Sequence, residues 1–218
     1  MTVAFDFDGT LVTAGPRQAL CLRAVARRYN VHLDPVDVWT AKREGRSNAA
    51  ILSDMGLGEA LAARIAAEWR AIIETPYWLL LDVVFDDVLT VLQSLTARGE
   101  DCFLITARQH DRWLRQQVDR LHLSGYFTGI HCVSPQDAVR RKAALLERIR
   151  PWAFFGDSEA DYQAAQKAGI PFAAVSTGQR SARFLKARGI DRVSETLTGA
   201  LAAMTIDYGS GPVPGEKD

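Results

Sequence analysis

Val3-Ala4-Phe5-Asp6-Phe7-Asp8-Gly9-Thr10-Leu11-Val12 is the stretch on which the fold turns. Apolar residues run straight into two carboxylates two positions apart, then into a Gly-Thr turn. A short apolar run bounded by turn signals reads as a buried strand. Asp6 and Asp8 then stand at its C-terminal end, where open α/β sheets keep their ligand crevice. Two carboxylates crowded there repel each other unless a cation or a proton sits between them.

Downstream of this strand the pattern is helical. Pro16 suits the first turn of a helix over 16–29, with Leu22, Val25 and Tyr29 on one face. A second helix is expected over 35–44. Gly45-Arg46-Ser47-Asn48 is a turn in which Ser47 or Asn48 can cap a helix over 49–55. Gly56-Leu57-Gly58 breaks that helix, an Ala-rich one follows over 59–75, and Pro76 stops it. Beyond residue 83 the pattern alternates. Helices are expected over 84–98, 110–123, 135–149, 159–167, 181–187 and 195–204. Strands are expected over 102–106, 130–134, 152–156 and 172–176. Alternation of this kind implies parallel βαβ units. The expected fold class is therefore α/β, a Rossmann-like parallel sheet core with an inserted all-helical cap domain. Residues 1–13 and 83–207 form the core, 14–82 the cap, and 208–218 a disordered tail. The insertion starts just after the Asp6/Asp8 strand, so it can close over the carboxylates as a lid.

Composition narrows the partners. The 218 residues are 48% hydrophobic and 24% charged, which is ordinary for a globular protein. Lys plus Arg and Asp plus Glu balance at 26 each, so net charge gives no argument for nucleic acid or a membrane surface. Arg17, Arg23, Arg27 and Arg28 cluster without an aromatic stacking platform and read as a solvated face. There is no run of about 20 apolar residues to span a bilayer, and Asp6 and Asp8 interrupt any secretory pattern. Cys21, Cys102 and Cys132 lack metal spacing and fit reduced core residues of a cytoplasmic protein. The expected partner is a small-molecule phosphate ester, with no nucleic acid and no membrane, bound by a monomer or homodimer.

The polar strand ends carry the chemistry. Thr106-Ala107-Arg108 sets a hydroxyl and backbone N–H groups before a helix, a cradle for a phosphate oxygen; a plain helix cap is the competing reading. In Gly156-Asp157-Ser158-Glu159-Ala160-Asp161, one helical turn can bring Asp157 and Asp161 together, although acids there also suit the helix dipole. Lys142 lies in the helix after the third strand, with Arg140 and Arg141 beside it able to do the same work. Hard oxygen ligands from Asp6, Asp8 and Asp157, without clustered His or Cys, suit Mg²⁺ rather than Zn²⁺. Together these groups describe a phosphoryl site in which a carboxylate can serve as nucleophile.

These motifs resemble those of the haloacid dehalogenase-like hydrolases. Asp6-Phe7-Asp8-Gly9-Thr10 is similar to their first motif, Thr106 to the second, Lys142 to the third and Gly156 to Asp161 to the fourth. The insertion resembles the cap of phosphoglycolate-phosphatase-like members, and Glu44-Gly45-Arg46-Ser47-Asn48 their substrate-selecting loop. Lys142 departs from that subgroup in preceding Ala143-Ala144 where a proline is common. The resemblance implies that Asp6 attacks phosphorus and Asp8 moves the proton. It also implies Mg²⁺ held by Asp6, the Asp8 backbone carbonyl and Asp157, with Asp161 nearby. Thr106 and Lys142 would grip the phosphoryl oxygens. Implied substrate contacts are Gly9, Thr10, Ala107, Arg108, Arg46 and Asn48.

Asp8 separates the chain from the family's metal-free C–Cl dehalogenases and its phosphonate hydrolases, which lack this acid. The expected activity is a Mg²⁺-dependent phosphatase acting on a small phosphomonoester through an aspartyl-phosphate. The alternatives are a phosphomutase of the same family and a catalytically silent binding or regulatory protein on the fold. Arg17, Lys42 and Arg43 are further cap candidates for an anionic leaving group, and Trp39, Tyr77 and Trp78 for a ring, against surface exposure or cap packing. Among the histidines only His110 lies close to the cradle.

Overall fold

The protein was analysed as a computed structural model that describes residues 1–209. Its centre is a parallel sheet of six strands in the order β3-β2-β1-β4-β5-β6. The strands are β1 (Thr2–Phe5), β2 (Asp101–Ala107), β3 (Phe127–Val133), β4 (Phe154–Gly156), β5 (Phe172–Val175) and β6 (Val193–Ser194). This is the Rossmann-like order, in which the chain reverses direction of travel across the sheet between β1 and β4.

The central strands β1, β4 and β5 are apolar without alternation because both sheet faces are covered there. Val3, Phe5, Leu104, Phe155 and Val175 point into one core. Their neighbours Ala4, Ile105, Phe154 and Ala174 point into the other. Phe5 and Phe155, paired across β1 and β4, stack at 5.3 Å between ring centres. Helices α1 (Gly15–Arg27), α2 (Pro35–Arg43), α3 (Asn48–Asp54), α4 (Glu59–Ile72) and α5 (Pro76–Leu79) lie between β1 and β2 in the chain. They enclose a third core built on Leu22, Val25, Val38, Leu52 and Ile65. Ser47 caps α3 by accepting from the Ala50 N–H. The remaining helices, α6 (Val88–Ala97), α7 (Asp111–Arg120), α8 (Ala138–Ile149), α9 (Glu159–Ala168), α10 (Ala182–Lys186) and α11 (Leu197–Gly209), belong to the sheet.

Four local expectations change. The helix expected from residue 84 begins at Val88, because residues 83–85 pair with 11–13. Val12 and Val84 form an antiparallel bridge. Beside it, Thr13 N–H donates to the Val83 carbonyl at 2.8 Å and Phe85 N–H to the Leu11 carbonyl at 3.1 Å. The two ends of the helical insertion are thereby tied together. The helix expected from Pro135 opens with a 3₁₀ turn, Pro135–Asp137. The short strand β6 and the single-turn α5 carry too few residues for a periodic signal. Finally, α11 runs to Gly209, into the start of the expected tail, and the rest of that tail lies outside the described residues.

Phe155 is fully buried one position from the strand end that carries Asp157. Phe155→Ala is expected to cost about 3–5 kcal/mol in urea unfolding. A loss below about 1 kcal/mol would mean that the face repacks around the void.

Candidate active site

The switch between β1 and β4 brings the acids together. Asp6 directly follows β1, and its N–H donates to the Phe155 carbonyl at 2.8 Å. Asp157 directly follows β4. Asp161 sits in the first turn of α9, where Ser158 caps the helix and donates to its carboxylate at 2.6 Å. One carboxylate oxygen from each of Asp6, Asp157 and Asp161 lies within 4.8 Å of the others. Lys142 reaches in from α8 and donates to Asp6 at 2.6 Å and to Asp161 at 2.5 Å.

All four groups are almost wholly buried, and three carboxylates face one ammonium. Burial raises the Asp6 carboxyl to about 7, with Lys142 opposing the rise and Asp161 adding to it. Burial likewise lifts Asp157 well above the usual carboxylate range, with Asp6 and Asp161 adding to the rise. Burial works against the Lys142 charge, yet Asp161 and Asp6 hold the amine protonated above its ordinary range. The unbalanced negative charge and the all-oxygen donor set fit a hard divalent cation such as Mg²⁺. Backbone closes round Asp157: Gln179 N–H donates to it at 2.6 Å. A Cβ at Gly178, or at Gly9 with its φ of +78°, would collide with the Asp157 carboxylate.

Asp8 stands apart from this cluster. Its carboxylate is gripped by Arg17 from α1 and by Arg108 just after β2, the latter at 2.7 Å through one terminal nitrogen. Burial alone would raise its pKa, but the Arg108 and Arg17 guanidiniums outweigh it and hold Asp8 below the usual range. Arg17 also pairs with Asp82 at 2.8 Å. Gln117 on α7 donates to Asp82 at 2.8 Å and accepts from Arg108 at 3.2 Å. Asp8, Arg17, Asp82, Gln117 and Arg108 therefore close a ring of polar side chains that joins the insertion to the sheet.

A cavity of about 550 Å³ opens over both groups. Asp6, Asp8, Thr106, Ala107, Arg108 and Lys142 line it, and Asp157 and Asp161 complete its floor. Lys142 is the buried cation here, whereas Arg140 and Arg141 are exposed and paired with Asp137. The expected amide cradle is filled differently. Arg108 N–H donates to the Val133 carbonyl at 3.0 Å, so this residue meets the site through its guanidinium. The Gln109 and His110 N–H groups at the start of α7 both donate to Glu74, at 2.8 and 3.2 Å. The His110 ring turns to Trp113 instead, at 4.2 Å.

Arg46 and Asn48 do not reach the cavity. The segment 43–46 docks on the loop after β5, with Ser181 N–H on the Arg43 carbonyl at 3.0 Å and Gly45 against the Phe184 ring. Arg46 is left pairing with Asp54 at the end of the following helix α3, and Asn48 is buried at the start of α3. Gly9 and Thr10 also stay off the cavity wall: Gly9 is wedged beneath Asp157 and Thr10 is buried in the turn. Trp39 packs in the insertion core against Gly15, and Tyr77 is largely exposed. The aromatic on the wall is Trp69 of α4, with Gln18 and Arg17 of α1 beside it. Sequence reasoning missed Glu74, Asp82, Gln117 and Trp69. For the first three no local signal exists, because Glu74 and Asp82 find their partners 35 or more residues away, and Gln117 meets Asp82 35 residues away and Arg108 only across the turn from β2 into α7. The helical face of α4 could have singled out Trp69.

Asp82→Ala removes one partner from the buried Arg17. Breaking such a pair is expected to cost about 3 kcal/mol in urea unfolding, and an unchanged midpoint would show that the ring does not hold the insertion to the sheet.

Comparison with known proteins fits this geometry. Over 197 residues the chain is 29% identical to a phosphoglycolate phosphatase from Pseudomonas syringae pv. tomato, covering 83% of this chain and 71% of that one. A haloacid dehalogenase-like family hydrolase from Streptococcus pneumoniae superposes with a TM-score of 0.69 at 18% identity, covering 93% of this chain and 97% of that one. Protein tyrosine kinase A of Mycobacterium tuberculosis superposes with a TM-score of 0.71 at 21% identity, over 93% and 97% of the two chains. Likenesses this distant establish the fold and not the reaction. Residues 1–169 match the haloacid dehalogenase-like hydrolases as a family. With that match over most of its length, the chain belongs to the haloacid dehalogenase-like hydrolase family.

Proposed function

We propose that the protein is a Mg²⁺-dependent phosphatase that hydrolyses a small phosphomonoester through an aspartyl-phosphate on Asp6. The observation that carries this reading is the buried cluster of Asp6, Asp157 and Asp161 around Lys142 on the cavity floor. Phosphoglycolate, the substrate named for the Pseudomonas relative, is the first ester to test. The helices of residues 14–82 serve in this reading as the cap, and the remainder as the catalytic core.

Asp6, Asp157 and Asp161 would hold the metal, with the Asp8 backbone carbonyl as a further oxygen. When bound, Mg²⁺ offsets the negative charge of the phosphoryl group and of the carboxylates around it. Lys142 and Thr106 take the phosphoryl oxygens, and Lys142 lowers the repulsion between Asp6 and the dianion. An Asp6 carboxylate oxygen forms a bond to phosphorus as the bond to the leaving oxygen breaks. Asp8 gives that oxygen its proton. Water then attacks phosphorus, Asp8 takes its proton, and the Asp6–phosphorus bond breaks to free phosphate.

The Arg17–Asp8–Arg108 grip belongs to the second half of this cycle. Two guanidiniums keep Asp8 ionised, the form that accepts a proton from water. To act first as an acid, Asp8 must lose part of that grip. Arg17 is the partner placed to leave, because it rides on α1 of the cap.

With Mg²⁺, phosphate release from phosphoglycolate is expected, and EDTA or Asp6→Asn is expected to abolish it. Turnover that survives Asp6→Asn would sink the nucleophile assignment. Asp8→Asn is expected to slow the cycle by about 10²–10⁴-fold while leaving Mg²⁺ affinity within a few-fold. Independently of turnover, Mg²⁺ at about a hundred times its Kd is expected to stabilise the fold by about 2.7 kcal/mol. Asp157→Asn removes that gain, and an equal gain in this variant would move the metal elsewhere.

A further inference from the structure

The two edges of the sheet differ. At one, β6 is only Val193–Ser194 and gives a guest strand almost nothing to pair with. At the other, β3 runs for seven residues, Phe127–Val133, and among the described residues only β2 pairs with it. The Val133 carbonyl accepts from Arg108 N–H on the β2 side. Backbone polar groups alternate in direction along a strand, so those of Ile130 and Cys132 face away from the sheet. The Ile130 carbonyl does so, accepting from the Arg115 guanidinium at 3.1 Å.

Helices α7 and α8 flank this edge on opposite faces, with Leu114 of α7 in one core and Leu146 of α8 in the other. A groove of about 570 Å³ follows the strand between them, lined by Arg115, Ile130, His131, Cys132, Arg141 and Leu145. Its rim is basic. Arg141, Leu145 and Arg148 recur at helical spacing on one face of α8. Arg140 and Arg141 share one acid, Asp137, while Arg115 pairs with Asp111. Arg148 has no ion pair among the described residues. Burial, with Arg148 and Arg115 nearby, lowers the His131 imidazole below its ordinary range, so the positive charge at neutral pH comes from the arginines. Four guanidiniums thus meet two carboxylates, in a chain whose formal net charge is zero.

Charge on an exposed edge keeps strands from adding to it. Here it excludes one kind of strand and favours another. A second copy joined through β3 about a twofold axis would set these arginines against themselves. An acidic strand meets the opposite field. Its N–H can replace Arg115 on the Ile130 carbonyl, and its carboxylate can take the released guanidinium, so the exchange loses no hydrogen bond. The pairs to Asp111 and Asp137 are exposed and therefore weak, and they give way readily.

We propose that the β3 edge and its arginine rim form a docking site for an extended acidic peptide segment of a partner protein, added to the sheet as a further strand. The site lies apart from the cavity and does not depend on the phosphatase reading.

The probe is a fluorescein-labelled peptide alternating Glu and Val over six residues, read by anisotropy. It is expected to bind at least tenfold tighter than the same peptide with Lys in place of Glu. It is also expected to bind at least tenfold tighter than the acidic peptide N-methylated throughout, which keeps the charge and cannot pair as a strand. Hydrogen exchange at the Ile130 and Cys132 N–H groups is expected to slow on binding. Arg115→Ala combined with Arg141→Ala is expected to weaken binding at least fivefold, and unchanged affinity overturns the site. Should that variant fold poorly, the control peptides test wild type directly. Equal affinity for the lysine peptide removes charge from recognition, and equal affinity for the N-methylated peptide removes strand pairing; either overturns the proposal. So does the absence of binding at about 1 mM peptide. A concentration-dependent dimer in light scattering, abolished by the same substitutions, would make a second copy the occupant and overturn the peptide.

Discussion

Mutual repulsion among Asp6, Asp157 and Asp161 is the constraint on which the rest of the site depends. The parallel sheet delivers these carboxylates to one place because β1 and β4 are neighbours at the point where strand order reverses. Nothing in the local hydrogen bonding balances them fully. Lys142 supplies one positive charge to a cluster that holds three acids, and burial strengthens every term. The fold tolerates this because Phe5, Phe155 and their neighbours anchor the strand ends from both faces. In the function proposed above, a hard cation and a phosphoryl group would relieve that imbalance on binding.

The two carboxylates of the opening motif live under different electrostatics although one residue separates them. Asp6 sits among acids and is held toward neutrality, whereas Asp8 sits between guanidiniums and is held ionised. Both acids lie beyond the last residue of β1, where the chain leaves strand geometry for the Gly9 turn, so Asp6 faces Lys142 and the acids after β4 while Asp8 faces Arg17 of α1 and Arg108 after β2. Each then meets the charges that its own side of the sheet provides.

What could be read from residues alone follows the range of the interactions involved. Five of the six strands are legible as short apolar runs bounded by turn residues, β6 being too short to give one, and Asp6, Thr106 and Asp157 are legible because each ends such a run. Lys142 could be named but not separated from Arg140 and Arg141 until α8 showed which one faces inward. The start of α6 was misjudged because Val84 continues an apolar pattern while its backbone is taken by Val12. Arg108 was named for its amide and acts through its side chain, since the amide belongs to the ladder with β3. Arg46 and Asn48 carry the local signature of a recognition loop, but docking of residues 43–46 on the segment before α10 carries them off the cavity. Asp82, Gln117 and Glu74 are polar residues in unremarkable surroundings, and only the closed chain shows what they hold.

The bridge between Val12 and Val84 has a consequence for how such a protein can diversify. Because entry and exit of the helical insertion lie side by side, the core closes on itself without that insertion, and the insertion spans no gap in the sheet. A different module grafted between these two positions would leave the strand ends and their acids in place. It would have to bring its own counterparts of Arg17, which holds Asp8 across the graft line, and of Asp82, which holds Arg17. The helical insertion and the sheet thus meet at the Val12–Val84 bridge and at the Arg17–Asp8 pair, side by side on one edge of the strand ends.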